Sequence, residues 1–113
     1  MIDMQKLTDI TTILCTAKEP QLILVFCHDF SSSEQILRKF QREFEFPGNY
    51  GNVDRANRIY EWHKHKIIFI PHQRMDKYRS YDPDYVFMDD WTEDIFNSYE
   101  AIRMCQARVR GKR

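Results

Sequence analysis

Two adjacent carboxylates, Asp89 and Asp90, close the apolar run Tyr85-Val86-Phe87-Met88. A strand ending in paired acids is a natural place for a magnesium ion, because magnesium takes oxygen ligands and keeps several of its waters. His28 and Asp29 close a second apolar run, Leu22 to Cys27. In a parallel sheet both runs end on the same side, so His28, Asp89 and Asp90 form one shared candidate crevice. These three are the candidate metal ligands, and magnesium is the cofactor they would take. The same acids also suit a helix start, where a carboxylate sits well on the positive end of the helix dipole. Ser31, Ser32 and Ser33 lie in no strained nucleophile turn, so no catalytic residue is assigned.

The elements that must hold these groups can be read from apolar spacing. Ile2, Leu7, Ile10, Ile13 and Leu14 approximate one helical face over residues 2–18, ended by Glu19-Pro20. Leu22 to Cys27 is continuously apolar, as suits a strand covered on both faces. A serine of Ser31-Ser32-Ser33 is the expected cap of a helix carrying Ile36, Leu37, Phe40 and Phe44. Residues 46–52, with two of the three glycines, read as a loop. Val53 to Trp62 reads as a short helix, Ile67 to Pro71 as a strand, and residues 72–80 as a loop or broken helix. Asp84 to Met88 is a third strand. Thr92 is the expected cap of a last helix with the stripe Ile95, Tyr99, Ile102 and Val109. Alternating strands and helices predict an α/β fold: a small, mostly parallel sheet of about three strands flanked by helices. Residues 1–113 read as a single domain with a basic C-terminal tail over about 106–113.

Composition narrows the classes. The chain has 17 basic and 17 acidic residues and no net charge, which argues against a wholly basic nucleic-acid binder. The charges are segregated. Asp76, Asp82, Asp84, Asp89, Asp90, Glu93 and Asp94 crowd one segment, and Arg103, Arg108, Arg110, Lys112 and Arg113 crowd the end. Aromatics at 14% predict an ordered chain. Cys15, Cys27 and Cys105 are odd in number and widely spaced, which argues against a disulfide scaffold or zinc ribbon. Cys27 is expected to be a buried free thiol. His63 and His65 are flanked by Lys64 and Lys66, cations that discourage a metal. The apolar runs are too short to cross a bilayer and Met1-Ile2-Asp3 has no signal-peptide character, so the expectation is a soluble cytoplasmic protein.

Residues 22–92 resemble the central part of the P-loop ATPase core of helicases and viral large terminases. Val86-Phe87-Met88-Asp89-Asp90 resembles the Walker B strand. Leu22 to Phe40, with His28-Asp29-Phe30-Ser31-Ser32-Ser33 in its turn, resembles an earlier strand, polar turn and helix of that core. Ile67 to Pro71 followed by Arg79-Ser80 is similar in place to the strand before an Arg-Gly turn, with serine for glycine. The resemblance implies Asp89 on magnesium and Asp90 in place of a catalytic glutamate. The chain departs from it by having no Gly-x-x-x-x-Gly-Lys-Ser/Thr to cradle phosphates. What it implies is a relic or mimic of such a core that does not hydrolyse ATP alone. Asp84 to Asp89 also resembles the phospho-acceptor strand of receiver domains, but only 23 residues follow Asp90. A nuclease reading of Asp82-Pro83-Asp84 lacks an Asp/Glu-x-Lys strand.

Three functions follow as expectations. The first is a non-catalytic interaction protein, such as a phage or mobile-element regulator, that meets a nucleic-acid-processing protein through an acidic aromatic surface. Its contact residues are Tyr78, Tyr81, Asp82, Asp84, Trp91, Glu93 and Asp94, since Tyr and Trp dominate interface hot spots. The second is a nucleic-acid-binding accessory module related to a terminase or helicase ATPase core. It would use Arg103, Arg108, Arg110, Lys112 and Arg113 on phosphates, with aromatics such as Tyr50, Tyr60 and Trp62 on bases. The third is a magnesium-dependent enzyme using Asp89, Asp90 and His28.

Overall fold

The computed structural model describes residues 2–46, 48–78 and 81–95. The elements are α1 (Met4–Thr16), β1 (Leu22–Cys27), α2 (Phe30–Glu45), β2 (Asn52–Asp54), β3 (Ile59–Trp62), β4 (His65–Pro71), a 3-10 helix (His72–Tyr78), β5 (Tyr85–Met88) and α3 (Asp90–Ile95). The fold is α/β, with a five-stranded mixed sheet in the order β2-β3-β4-β1-β5. β4, β1 and β5 are parallel, as expected of the three apolar runs. β2 and β3 add antiparallel strands to one side. The expectation of a helix over Val53 to Trp62 is therefore corrected to a hairpin. Tyr60 and Trp62 pack into one core cluster while Ile59 joins the opposite one, so the segment has the two-residue period of a strand. The β3–β4 turn is hard to see in sequence. It places His63 and Lys64 at φ 48° and 70°, where Asn-Gly is the usual pair.

The sheet is covered on both faces. Leu7, Ile10 and Leu14 of α1 and Ile36, Leu37, Phe40 and Phe44 of α2 pack with Ile23, Val25, Ile67 and Phe69. On the opposite face Met75 and Tyr78 of the 3-10 helix pack with Leu24, Phe26, Ile68, Ile70, Val86 and Met88. This two-sided burial is why β1 and β4 are apolar throughout. No described helix is long and apolar enough to cross a membrane.

Caps differ from expectation by a few residues. Asp29, not a serine, starts α2: its Oδ1 accepts the Ser32 N–H at 2.7 Å. Asp89, not Thr92, starts α3, its Oδ1 accepting the Thr92 N–H at 2.8 Å. Both caps are acids at strand ends, so one side chain serves as strand terminus and helix cap together.

An aromatic cluster secures the hairpin. Phe40 lies 5.3 Å from Phe44 and 5.4 Å, edge-on, from Tyr60. The Tyr60 hydroxyl donates to Glu45 Oε2 at 2.8 Å and accepts the Gly51 N–H at 2.9 Å. Burial and then the Glu45 carboxylate push its pKa upward. Tyr60 is thus a core residue and not a base-stacking surface. A β-carbon on Gly51 would stand 2.5 Å from the Glu61 carbonyl oxygen and 2.7 Å from the Tyr60 ring. Gly51→Ala therefore lowers the unfolding free energy by about 1–3 kcal/mol through overpacking, read from the midpoint of a urea titration.

His65 begins β4 as a buried imidazole whose Nδ1 accepts the Gln21 N–H at 3.0 Å. Burial, then the neighbouring His63, lowers its pKa from the ordinary 6.5. The unfolded chain then takes up this proton at a higher pH than the folded chain. The stability His65 contributes is present above about pH 6.5 and is lost as the pH falls through the lower folded value. Urea titrations between about pH 7 and pH 5 will show wild type losing more stability on acidification than His65→Gln.

Candidate functional site

The register pairs Cys27 with Pro71 and Phe26 with Met88. The residues just beyond these, His28, His72 and Asp89, emerge together at the carboxyl ends of the parallel strands. The connection from β1 turns onto the face of α1 and α2, while that from β4 turns onto the opposite face and crosses β1 to reach β5. Adjacent strands whose connections part in this way open a crevice at their ends, the usual ligand position in open α/β sheets.

Asp89 is completely buried. Its Oδ2 accepts the His28 N–H at 2.9 Å, its Oδ1 accepts the Thr92 N–H, and its own N–H donates to the Phe26 carbonyl at 2.9 Å. One carboxylate thus joins β1, β5 and α3. Thr92 is buried with its hydroxyl unpartnered, which confirms that it does not cap. His28 and Asp89 do meet, as expected, but through the backbone amide of His28. Asp90 is exposed on the first turn of α3. This set does not suit magnesium: the Asp89 oxygens already serve amides, and His28 offers nitrogen where magnesium favours oxygen. Among the described residues no three His, Cys, Asp or Glu groups converge as a metal site.

The crevice is lined instead by rings. His28 and Trp91 have centroids 3.9 Å apart at 40°. His72 lies 4.9 Å from Trp91 and is nearly parallel to His28 at 6.4 Å. His72 Nδ1 donates to the His28 carbonyl at 2.6 Å, bridging the ends of β1 and β4. His28 Nδ1 stands 3.5 Å from Asp29 Oδ2. The Ser32 amide, with a smaller contribution from His28, holds the Asp29 carboxyl below its usual range. Cys27 is buried behind this layer as a free thiol, and burial, then Asp89, pushes its pKa well up. It is the buried free thiol expected from its strand position, and burial of this kind keeps a thiol unreactive.

No family model, curated protein or solved structure matches the chain.

The strand-end rim divides by charge. Toward β5 stand exposed Asp90 and Asp94, with Glu93 paired to Lys6. Lys6 also donates to the Met88 carbonyl at 2.9 Å and so fastens α1 to this end. Toward β3 and β4 stand Arg58 and Arg74, whose guanidinium carbons lie 4.7 and 4.8 Å from the centroid of the exposed Phe30 ring. Sequence reading passed over Phe30, Arg58 and Arg74, which share no motif and are far apart in the chain. His72 had a usable signal: it follows strand residue Pro71 as His28 follows Cys27.

The expected acidic aromatic surface is placed in two groups. Asp82 and Asp84 precede β5. Asp84 Oδ2 accepts the Leu22 N–H at 2.9 Å, so it ties β5 to the start of β1. Tyr78 and the exposed Tyr81 pack edge-on at 4.7 Å nearby in sequence. Trp91, Glu93 and Asp94 follow β5, separated from Asp84 by its four residues, about 13 Å of extended chain. Arg103, Arg108, Arg110, Lys112 and Arg113, with Tyr99, Ile102, Cys105 and Val109, lie outside the described residues.

Proposed function

We propose that the chain is a non-catalytic binding protein that meets a basic surface of a nucleic-acid-processing protein through the acidic half of its strand-end rim. The observation that carries this reading is the engagement of both Asp89 oxygens by backbone amides. The paired acids then shape a surface, with Asp89 inside as its brace and Asp90 outside as its charge. Trp91 is half-buried against His28 and His72, so its ring is oriented before any partner arrives. A pre-set aromatic loses little side-chain entropy on binding, which is why tryptophan anchors interfaces. Asp90 and Asp94 supply the field that steers a basic partner to it. The resemblance to a helicase or terminase core fits a protein that associates with such an enzyme.

The test is capture from a nuclease-treated lysate, comparing wild type with the surface charge reversal Asp90→Lys/Asp94→Lys and with Trp91→Ala. A protein retained by wild type and lost with both variants supports the proposal. Identical capture by all three baits overturns it.

A further inference from the structure

The basic half of the rim is built in a way the acidic half does not explain. Phe30 is 44% exposed although it opens α2 beside the crevice. Two arginines from separate elements, Arg58 before β3 and Arg74 on the 3-10 helix, converge on its ring. Among the described residues neither pairs with a carboxylate. Two like charges gathered on one ring repel, and no direct ion pair among the described residues offsets them. Arg58 Nη1 donates to the Ala56 carbonyl at 3.3 Å, while its Nε is buried without a partner. Arg58 also stands at φ 53°, the left-handed region that favours glycine or asparagine. That conformation closes the β2–β3 turn. The Arg58 carbonyl accepts the Phe69 N–H at 2.9 Å, so the residue is locked against β4 and its side chain is aimed across the rim.

A guanidinium lying over a ring has its in-plane N–H donors directed sideways and its outer face free to stack. That combination suits a partner bearing both phosphates and flat rings. We propose that Phe30, Arg58 and Arg74 form a contact for single-stranded nucleic acid, with bases stacking on the ring and guanidinium planes and phosphates taken by the N–H edges. An acidic peptide would satisfy the charges and leave the exposed ring unused. Duplex DNA would bring phosphates but no free base faces. Asp90 and Asp94 on the far side of His28 and Trp91 would repel the backbone and keep the strand on the arginine side. This site is independent of the protein contact proposed above.

The test uses the full chain and a short fluorescein-labelled single-stranded oligonucleotide of mixed sequence, read by fluorescence anisotropy across a salt series. Wild type is expected to bind, and Phe30→Leu, which keeps the apolar contact, to weaken binding roughly 5- to 150-fold through lost stacking. Arg58→Asn/Arg74→Gln is expected to reduce the steepness of log affinity against log salt by about 0.7 for each phosphate contact removed. Asparagine accepts the left-handed backbone, so that variant keeps its fold, checked by its circular dichroism melting curve. The basic tail is present in every variant, so binding due to the tail alone would show no difference between them. Equal affinity and salt dependence for wild type and the double variant would overturn the assignment. So would equal binding of the matching duplex, or displacement of the oligonucleotide by polyglutamate. Any of these failures leaves the Asp90→Lys/Asp94→Lys capture experiment unaffected.

Discussion

Asp89→Ala lowers the unfolding free energy by roughly 3–5 kcal/mol, because it leaves two amides without the carboxylate that accepts from them. Thr92 N–H is buried and His28 N–H is partly so. Hydrogen bonds to a charged acceptor are the stronger kind, and an orphaned buried donor carries its full desolvation cost. The lost helix cap is part of the same sum. Urea denaturation followed by circular dichroism measures the change. Asp89→Asn gives the intermediate case: its carboxamide oxygen accepts one amide while its NH2 faces the other, so about half the loss remains. A carboxylate kept only to hold a metal predicts the opposite sign, since removing a buried charge would relieve the metal-free protein. Unchanged or increased stability in Asp89→Ala would therefore reject the bracing role and reopen the magnesium reading.

Phe40→Ala is the second large effect, also about 3–5 kcal/mol. Phe40 is fully buried between Phe44, Tyr60 and Phe69, with centroids 5.3, 5.4 and 6.1 Å away. It is where α2 grips both β4 and the hairpin strand β3. Truncation removes its transfer free energy and leaves a cavity that rigid aromatic neighbours cannot close. Phe40→Leu retains much of the volume and costs about 1–2 kcal/mol. Calorimetric or urea unfolding of the pair reads the difference. A Phe40→Ala loss below about 1 kcal/mol would mean that the cluster is not packed as described. Because Arg58 sits at the base of β3, Phe40→Ala also loosens the frame of the basic rim. Phe30→Leu, outside the core, should leave stability nearly unchanged.

How much of this was legible in the sequence depends on whether a signal was local. β1, β4 and β5 could be read because both faces of each strand are buried, and burial on two faces forces an unbroken apolar run. α1 and α2 could be read because one buried face recurs with helical spacing. The hairpin of β2 and β3 could not. Its alternation is only four residues long in β3, and the β3–β4 turn that follows it uses His63 and Lys64 where asparagine and glycine would have announced a strand pair. The shift of caps from Ser31–Ser33 and Thr92 to Asp29 and Asp89 has one cause. An acid placed at a strand end reaches the following helix before any residue inside that helix can.

The sequence by itself determined that acids and histidines stand at strand ends and that those ends lie on one side of a sheet. Residue order and apolar run length carry that information. Only the tertiary structure decided what these groups face. It turned Asp89 inward onto the His28 and Thr92 amides, stacked His28 and His72 about Trp91, and gathered Arg58 and Arg74 over Phe30. Each of these contacts joins segments far apart in the chain or depends on which face of a strand end a side chain leaves. The order of strands in the sheet settles both, and no local pattern of residues encodes it.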